Sequence, residues 1–125
     1  MEWMKALDIS REIEQIAKKL VLSHIDTRKI ICFRSFGSKS RASARIWSLP
    51  RVWQQALGVA PHYVIEVLAE KFDKLGRDDQ RRVLIHELAH IPKTFSGSLV
   101  PHRGRVHRID NKLVEKLFQL YKKVK

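Results

Sequence analysis

His86-Glu87-Leu88-Ala89-His90 sets two imidazoles four residues apart with a carboxylate beside the first. Residues four apart on an α-helix share a face, so both rings can reach one metal ion, at ~2.0–2.1 Å per bond if that ion is zinc. Glu87 can then reach a water on the ion's open side. A metal there lowers the pKa of that water to about 7, and the carboxylate takes its proton and later hands it to a leaving amine. A catalytic zinc needs a third protein ligand, and His102 and His107 follow, 12 and 17 residues past His90. His102 lies between Pro101 and Gly104, where the backbone is free to aim an imidazole. His107 adjoins Val106 on the flank of a helical stripe, where core packing sets its direction. The spacing therefore favours His102 as third ligand, with His107 as the alternative ligand or as a hydrogen-bond donor around the site. His24 and His62 stand at no ligand spacing from the motif and are expected to be ordinary capping or surface residues.

The motif needs a helix, and Gln80 to Ile91 supplies one, with Asp78 or Asp79 as cap and Pro92 as stop. Ahead of it, Ile9, Ile13, Ile16, Ala17, Leu20 and Val21 recur at spacings of three and four and predict an amphipathic helix over 9–23. Lys29 to Phe36 is β-branched and aromatic, 37–41 is turn-like, and 42–48 is a return strand, which together predict a hairpin. Pro50 opens a short helix through Ala56, closed by Gly58. The apolar run 62–69, interrupted only by Glu66, predicts a third strand. Residues 92–104 hold Pro92, Gly97, Pro101 and Gly104 and predict a loop. Val106, Ile109, Leu113, Leu117 and Leu120 mark a last helix. The expected fold is α+β: a small antiparallel or mixed sheet of about three strands packed on the motif helix, flanked by N- and C-terminal helices.

The 125 residues suit one domain over 1–125. Apolar residues make up 44% and charged residues 30%, with 5 Gly and 4 Pro, which excludes a disordered or fibrous chain. The lone cysteine, Cys32, allows neither an intramolecular disulfide nor a cysteine-based zinc ribbon and fits a reducing compartment. No window reaches the ~18 apolar residues of a membrane span, and Met1-Glu2-Trp3-Met4-Lys5 has no export signal, so a cytoplasmic protein is expected. The 25 Lys and Arg against 13 acids give +12. That surface favours solubility and attracts polyanions. The excess is concentrated, with 7 bases against 1 acid over 24–58 and 9 against 2 over 92–125.

From Ile30 to about Tyr121 the chain resembles the small metallopeptidase family described from phage and archaeal-type proteins, and more loosely the SprT-like zinc metalloproteases. The likeness rests on Ala44-Arg45-Ile46-Trp47, Tyr63-Val64-Ile65-Glu66-Val67, Phe72, Leu84 through Pro92, Phe95-Ser96-Gly97 and Pro101-His102. It implies a zincin-like minidomain in which His86, His90 and a later histidine, matched at Pro101-His102, hold zinc, with Glu87 as general base. It also implies an edge strand beside the motif helix, here 63–68, on which an extended peptide substrate adds by β-augmentation. The metzincin continuation needs glycine three residues and histidine six residues after His90. Lys93 and Ser96 stand there instead and exclude that class.

Other residues carry weaker expectations. Glu66 is expected on the exposed face of an edge strand, and Trp47 and Trp53 in the core. Tyr63 stabilises an oxyanion only if it faces the site. Arg34, Lys39, Arg41 and Arg45 with Phe36 and Trp47 are expected to form either a basic, aromatic hairpin for weak binding of single-stranded nucleic acid or, equally, a solvated basic face. The leading function is a zinc-dependent metallopeptidase with Glu87 as general base. The alternative is a basic nucleic-acid-binding domain whose zinc is structural or vestigial.

Overall fold

The computed structural model describes residues 1–102 and 109–124. Strand β1 (Glu2–Lys5) leads into α1 (Leu7–Lys19), and a 3₁₀ turn at Thr27–Lys29 precedes β2 (Ile30–Phe36). Next come β3 (Ala44–Ser48), α2 (Arg51–Leu57), β4 (Tyr63–Leu68), a single turn α3 (Ala69–Phe72), α4 (Arg77–Ala89) and α5 (Asn111–Lys123). This is the expected α+β class with one strand more than anticipated. Val106 and His107 lie outside the described residues.

The strands order as β1-β2-β4-β3, with β1 antiparallel to β2, β2 parallel to β4, and β4 antiparallel to β3. The expected hairpin is therefore wrong, because β4 is inserted between β2 and β3. A nearly continuous apolar run such as 63–68 gains most from burial on both faces, and all but Val64 of β4 are buried. The seven residues 37–43 readily bridge the ~10 Å across one intervening strand. They are tied down by bonds from Gly37 N–H to Glu70 Oε1 (2.9 Å), from Leu68 N–H to Ser43 O (2.9 Å), and from Lys71 Nζ to Ser40 O. It follows that 63–68 is central and that β3, together with β1, forms the edges of the sheet.

One face of the sheet presents Ile30, Cys32, Ile65 and Val67 to α1 and α4 in a core that also takes Ile13, Leu84, Leu88 and Phe118. The last helix buries Val114, Phe118 and Tyr121, a stripe one residue on from Leu113, Leu117 and Leu120, and leaves Leu120 exposed. The Asp110 carboxylate caps this helix by accepting from Leu113 N–H at 2.9 Å. On the opposite sheet face Glu66 is fully buried, contrary to expectation, and accepts from Arg45 Nε at 2.8 Å and Trp47 Nε1 at 2.9 Å. Burial alone would raise its pKa. The guanidinium and indole N–H hold it below the usual carboxylate range. Trp47 and Trp53 are exposed rather than core residues, because no helix covers one and α2 buries nothing of the other.

Helix α1 stops at Lys19, short of the expected 23. Val21 N–H bonds to Lys18 O and Leu22 N–H to Ala17 O, the paired bonds of a Schellman stop. That motif needs a left-handed residue, and here it is Val21, at φ 51° and 78% exposed. A β-branched residue pays ~1–2 kcal/mol for this conformation and gains nothing from burial here. Val21→Gly is expected to raise stability by about 1 kcal/mol, seen as a higher denaturation midpoint in urea. An unchanged or lower midpoint would count against strain at this stop.

Candidate metal centre

Gly76, rather than Asp78 or Asp79, is the N-cap of helix α4, and both acids lie inside its first turn, where the helix dipole favours them. The helix ends at His90, ahead of Pro92. Leu84, Ile85 and Leu88 anchor it in the core, which turns His86, Glu87 and His90 towards a cleft of about 780 Å³. The far wall of this cleft is Ala42–Ile46, and Arg82, Val100, His102 and Glu115 complete its rim.

His102 arrives from the loop after α4, and main-chain bonds place it. Val100 N–H donates to His90 O at 2.7 Å, and His90 Nδ1 donates to Val100 O at 2.6 Å. This reciprocal pair ties residue 100 to the end of α4 and brings His102, two residues on, over the helix. Farther back, Gln54 Nε2 on α2 donates to Leu49 O (2.7 Å) and Ser96 O (2.9 Å). Tyr63 Oη donates to Ser98 O at 2.7 Å and accepts from Gly97 N–H at 2.9 Å. Tyr63 is therefore turned to this loop and away from the cleft, and its conditional oxyanion role lapses. Gly97 has φ 93°, and a Cβ there would run into Gln54 Nε2 and Leu49 O, so only glycine fits beneath α2.

His86, His90 and His102 each bring one ring nitrogen within 4.8 Å of the others. Nε2 of His86 and Nε2 of His102 lie 3.0 Å apart, close to the ~3.3 Å edge of a tetrahedron with ~2.05 Å bonds. Since a carbonyl can only accept, His90 carries its proton on Nδ1, leaving Nε2 as a free donor atom for a metal. Burial, together with the charges His90 and His102 would carry, pushes His86 down to about 4, so it is neutral at physiological pH, the state that binds metal. Burial likewise lowers His90. His24 and His62 stand apart from the cluster, and the Nδ1 of His62 bonds to Ala60 O.

Glu87 is buried in the same cleft, and its Oε2 has no hydrogen-bond partner among the described residues. A carboxylate deprived of water and of any donor is pushed up to about 7. Such a group costs stability unless something occupies the space before it. Three imidazoles and an unsatisfied carboxylate around one cleft suit a borderline cation such as zinc, with one position left open. The donor set fits a metal.

A family model described as "Putative phage metallopeptidase" matches residues 1–122. The chain belongs to this family. The match reaches beyond the Ile30–Tyr121 stretch on which the likeness rested and takes in β1 and α1, which are part of the same sheet and core. No curated protein and no solved structure matches the chain. A metallopeptidase family suggests a metal, and the three-histidine cluster is compatible with holding one. Among the described residues no helix is long and apolar enough to cross a membrane.

Proposed function

We propose that the protein is a zinc-dependent metallopeptidase with Glu87 as its general base. The observation that carries this reading is the unpartnered, buried Oε2 of Glu87 in one cleft with three metal-competent imidazoles. His86, His90 and His102 would hold the ion, which when bound supplies Lewis acidity to a peptide carbonyl and to water. Glu87 takes the proton of the attacking water at Oε2 and delivers it to the departing amine. Its burial in the cleft wall pushes the carboxylate up to about 7 and holds it ready to accept a proton near neutral pH. The Val100 carbonyl keeps the His90 ring oriented and its proton on Nδ1.

The substrate strand belongs beside β3. Its one partner among the described residues is β4, which leaves its other edge with free N–H and C=O groups. Ala44, Arg45 and Ile46 line the cleft opposite His86 and Glu87. An extended peptide adding to this edge would run past the histidines. The substrate edge implied at 63–68 is not an edge, because β4 is paired on both sides; the edge beside the cleft is 44–48.

Purified protein, prepared without chelators, is expected to carry about one zinc per chain and to cleave an unfolded protein such as casein, with activity lost to a chelator and restored by zinc. Absence of any transition metal after zinc add-back would sink the reading.

A further inference from the structure

The sheet has a second face that the metal centre does not use. Strand alternation and the pairing register place Trp3 and Lys5 of β1, Ile31 and Phe33 of β2, and Arg45 and Trp47 of β3 on the side turned away from α1 and α4. Trp3 is 45% exposed and Trp47 47%, and Ile31 is exposed between them. These rings are held in place rather than loose. Trp3 meets Phe33 edge to face at a centroid distance of 6.3 Å. Trp47 gives its Nε1–H to Glu66, and the Arg45 guanidinium lies 5.3 Å from the centre of the indole. A fully buried carboxylate, costly to install, thus fixes the orientation of a half-exposed tryptophan.

Charge decides what such a face suits. Its one acid is Glu66, already neutralised by Arg45. Lys5 is exposed on β1, and the loop 37–43, crossing from β2 to β3 at one end of the face, exposes Lys39 and Arg41 and contains no acid. Planar rings with cations around them complement a chain of bases and phosphates better than an apolar protein surface, which would have to desolvate those cations. Two residues expected in such a surface are not part of it. Arg34 points to the other side and is engaged by Asp8 (3.1 Å) and Asp73 (3.2 Å), and Phe36 alternates with it to that same side.

We propose that this open sheet face binds single-stranded nucleic acid, stacking bases on Trp3, Phe33 and Trp47 and holding phosphates on Lys5, Lys39 and Arg41. Trp3 and Trp47 stand on the two outer strands, three strand spacings across and four residues along the sheet from each other, about 20 Å on a diagonal that passes Phe33, so several stacking positions lie along one path. The face contributes rings and cations rather than groups that read a base edge or a 2′-hydroxyl, so it takes DNA and RNA alike and without sequence preference.

The test is fluorescence anisotropy of the full-length protein with labelled oligothymidylate and oligouridylate at low salt. Both probes bind, affinity falls steeply with salt, and a chelator changes nothing, because no group of the face is a candidate metal ligand. Trp3→Ala and Trp47→Ala each weaken binding about fivefold or more, while Trp3→Phe keeps most of it. The pair Lys39→Glu and Arg41→Glu weakens binding and flattens the salt slope. Lys122→Ala, on α5 away from the sheet, leaves it unchanged. Should Trp47→Ala fail to fold, Trp3→Ala and the loop charge reversals decide. Absence of binding at low salt overturns the proposal, as does binding that the tryptophan variants leave intact. A concentration-dependent dimer lost in Trp47→Ala, with no oligonucleotide bound, would overturn it in favour of self-association.

Discussion

His102→Ala is expected to lower zinc affinity by several orders of magnitude, while His107→Ala stays within the ~10–100-fold loss typical of a group around a metal site. A centre with three protein ligands that loses one keeps only two, on the same helix, and gives up the bond that closes the site from the loop. The geometry behind this is a chain of main-chain bonds. Val100 is tied in both directions to His90, and that tie carries His102 to within 3.0 Å of His86. Competition against a zinc-binding dye measures both variants on one scale. The reverse order, with His107→Ala the more severe, would move the third ligand beyond residue 102. Equal and small losses would leave His86 and His90 without a third partner and undo the assignment.

What the residue string displayed was local. Histidines four apart show their common face through helix geometry alone, and Pro101 and Gly104 around His102 show a freely directed side chain. Pro50 and Gly58 bracket α2 as expected, with Gly58 at φ 65°. What it concealed was either carried by the backbone or non-local. The bonds between Val100 and His90 use main-chain N–H and C=O, and of the groups involved only the His90 ring has a side-chain signature. Strand order depends on which partner gives β4 burial on both faces, a comparison no window of residues contains. Glu66 looked exposed because its partners, Arg45 and Trp47, lie on a strand about twenty residues away. A clue existed there, since one acid within an otherwise apolar run is as compatible with a buried ion pair as with a wet edge. The stripe on α5 was misplaced by one residue for a related reason. Leu117 does touch the core at its margin and Leu113 is half-buried, but Phe118 and Tyr121 belong to the core itself.

Glu87→Gln is expected to cut peptide hydrolysis by about 10²–10⁴, the usual worth of a positioned general base, while zinc content stays at about one per chain. The two effects separate because the carboxylate and the imidazoles do different work. Glu87 makes no hydrogen bond through Oε2 among the described residues, so an amide of the same shape breaks no contact there and leaves His86, His90 and His102 where they stand. It removes only the lone pair that accepts a proton. Glu87→Asp, a methylene shorter, keeps the acid and withdraws it from the cleft, and should fall between the two. Assayed on casein beside the parent, with metal measured on the same samples, the pair distinguishes a base from a ligand. Loss of zinc in Glu87→Gln would make the carboxylate part of the metal's coordination. Full activity with zinc retained would leave the buried oxygen without a chemical role and shift the general base to another group of the cleft, of which Glu115 on its rim is the nearest in kind.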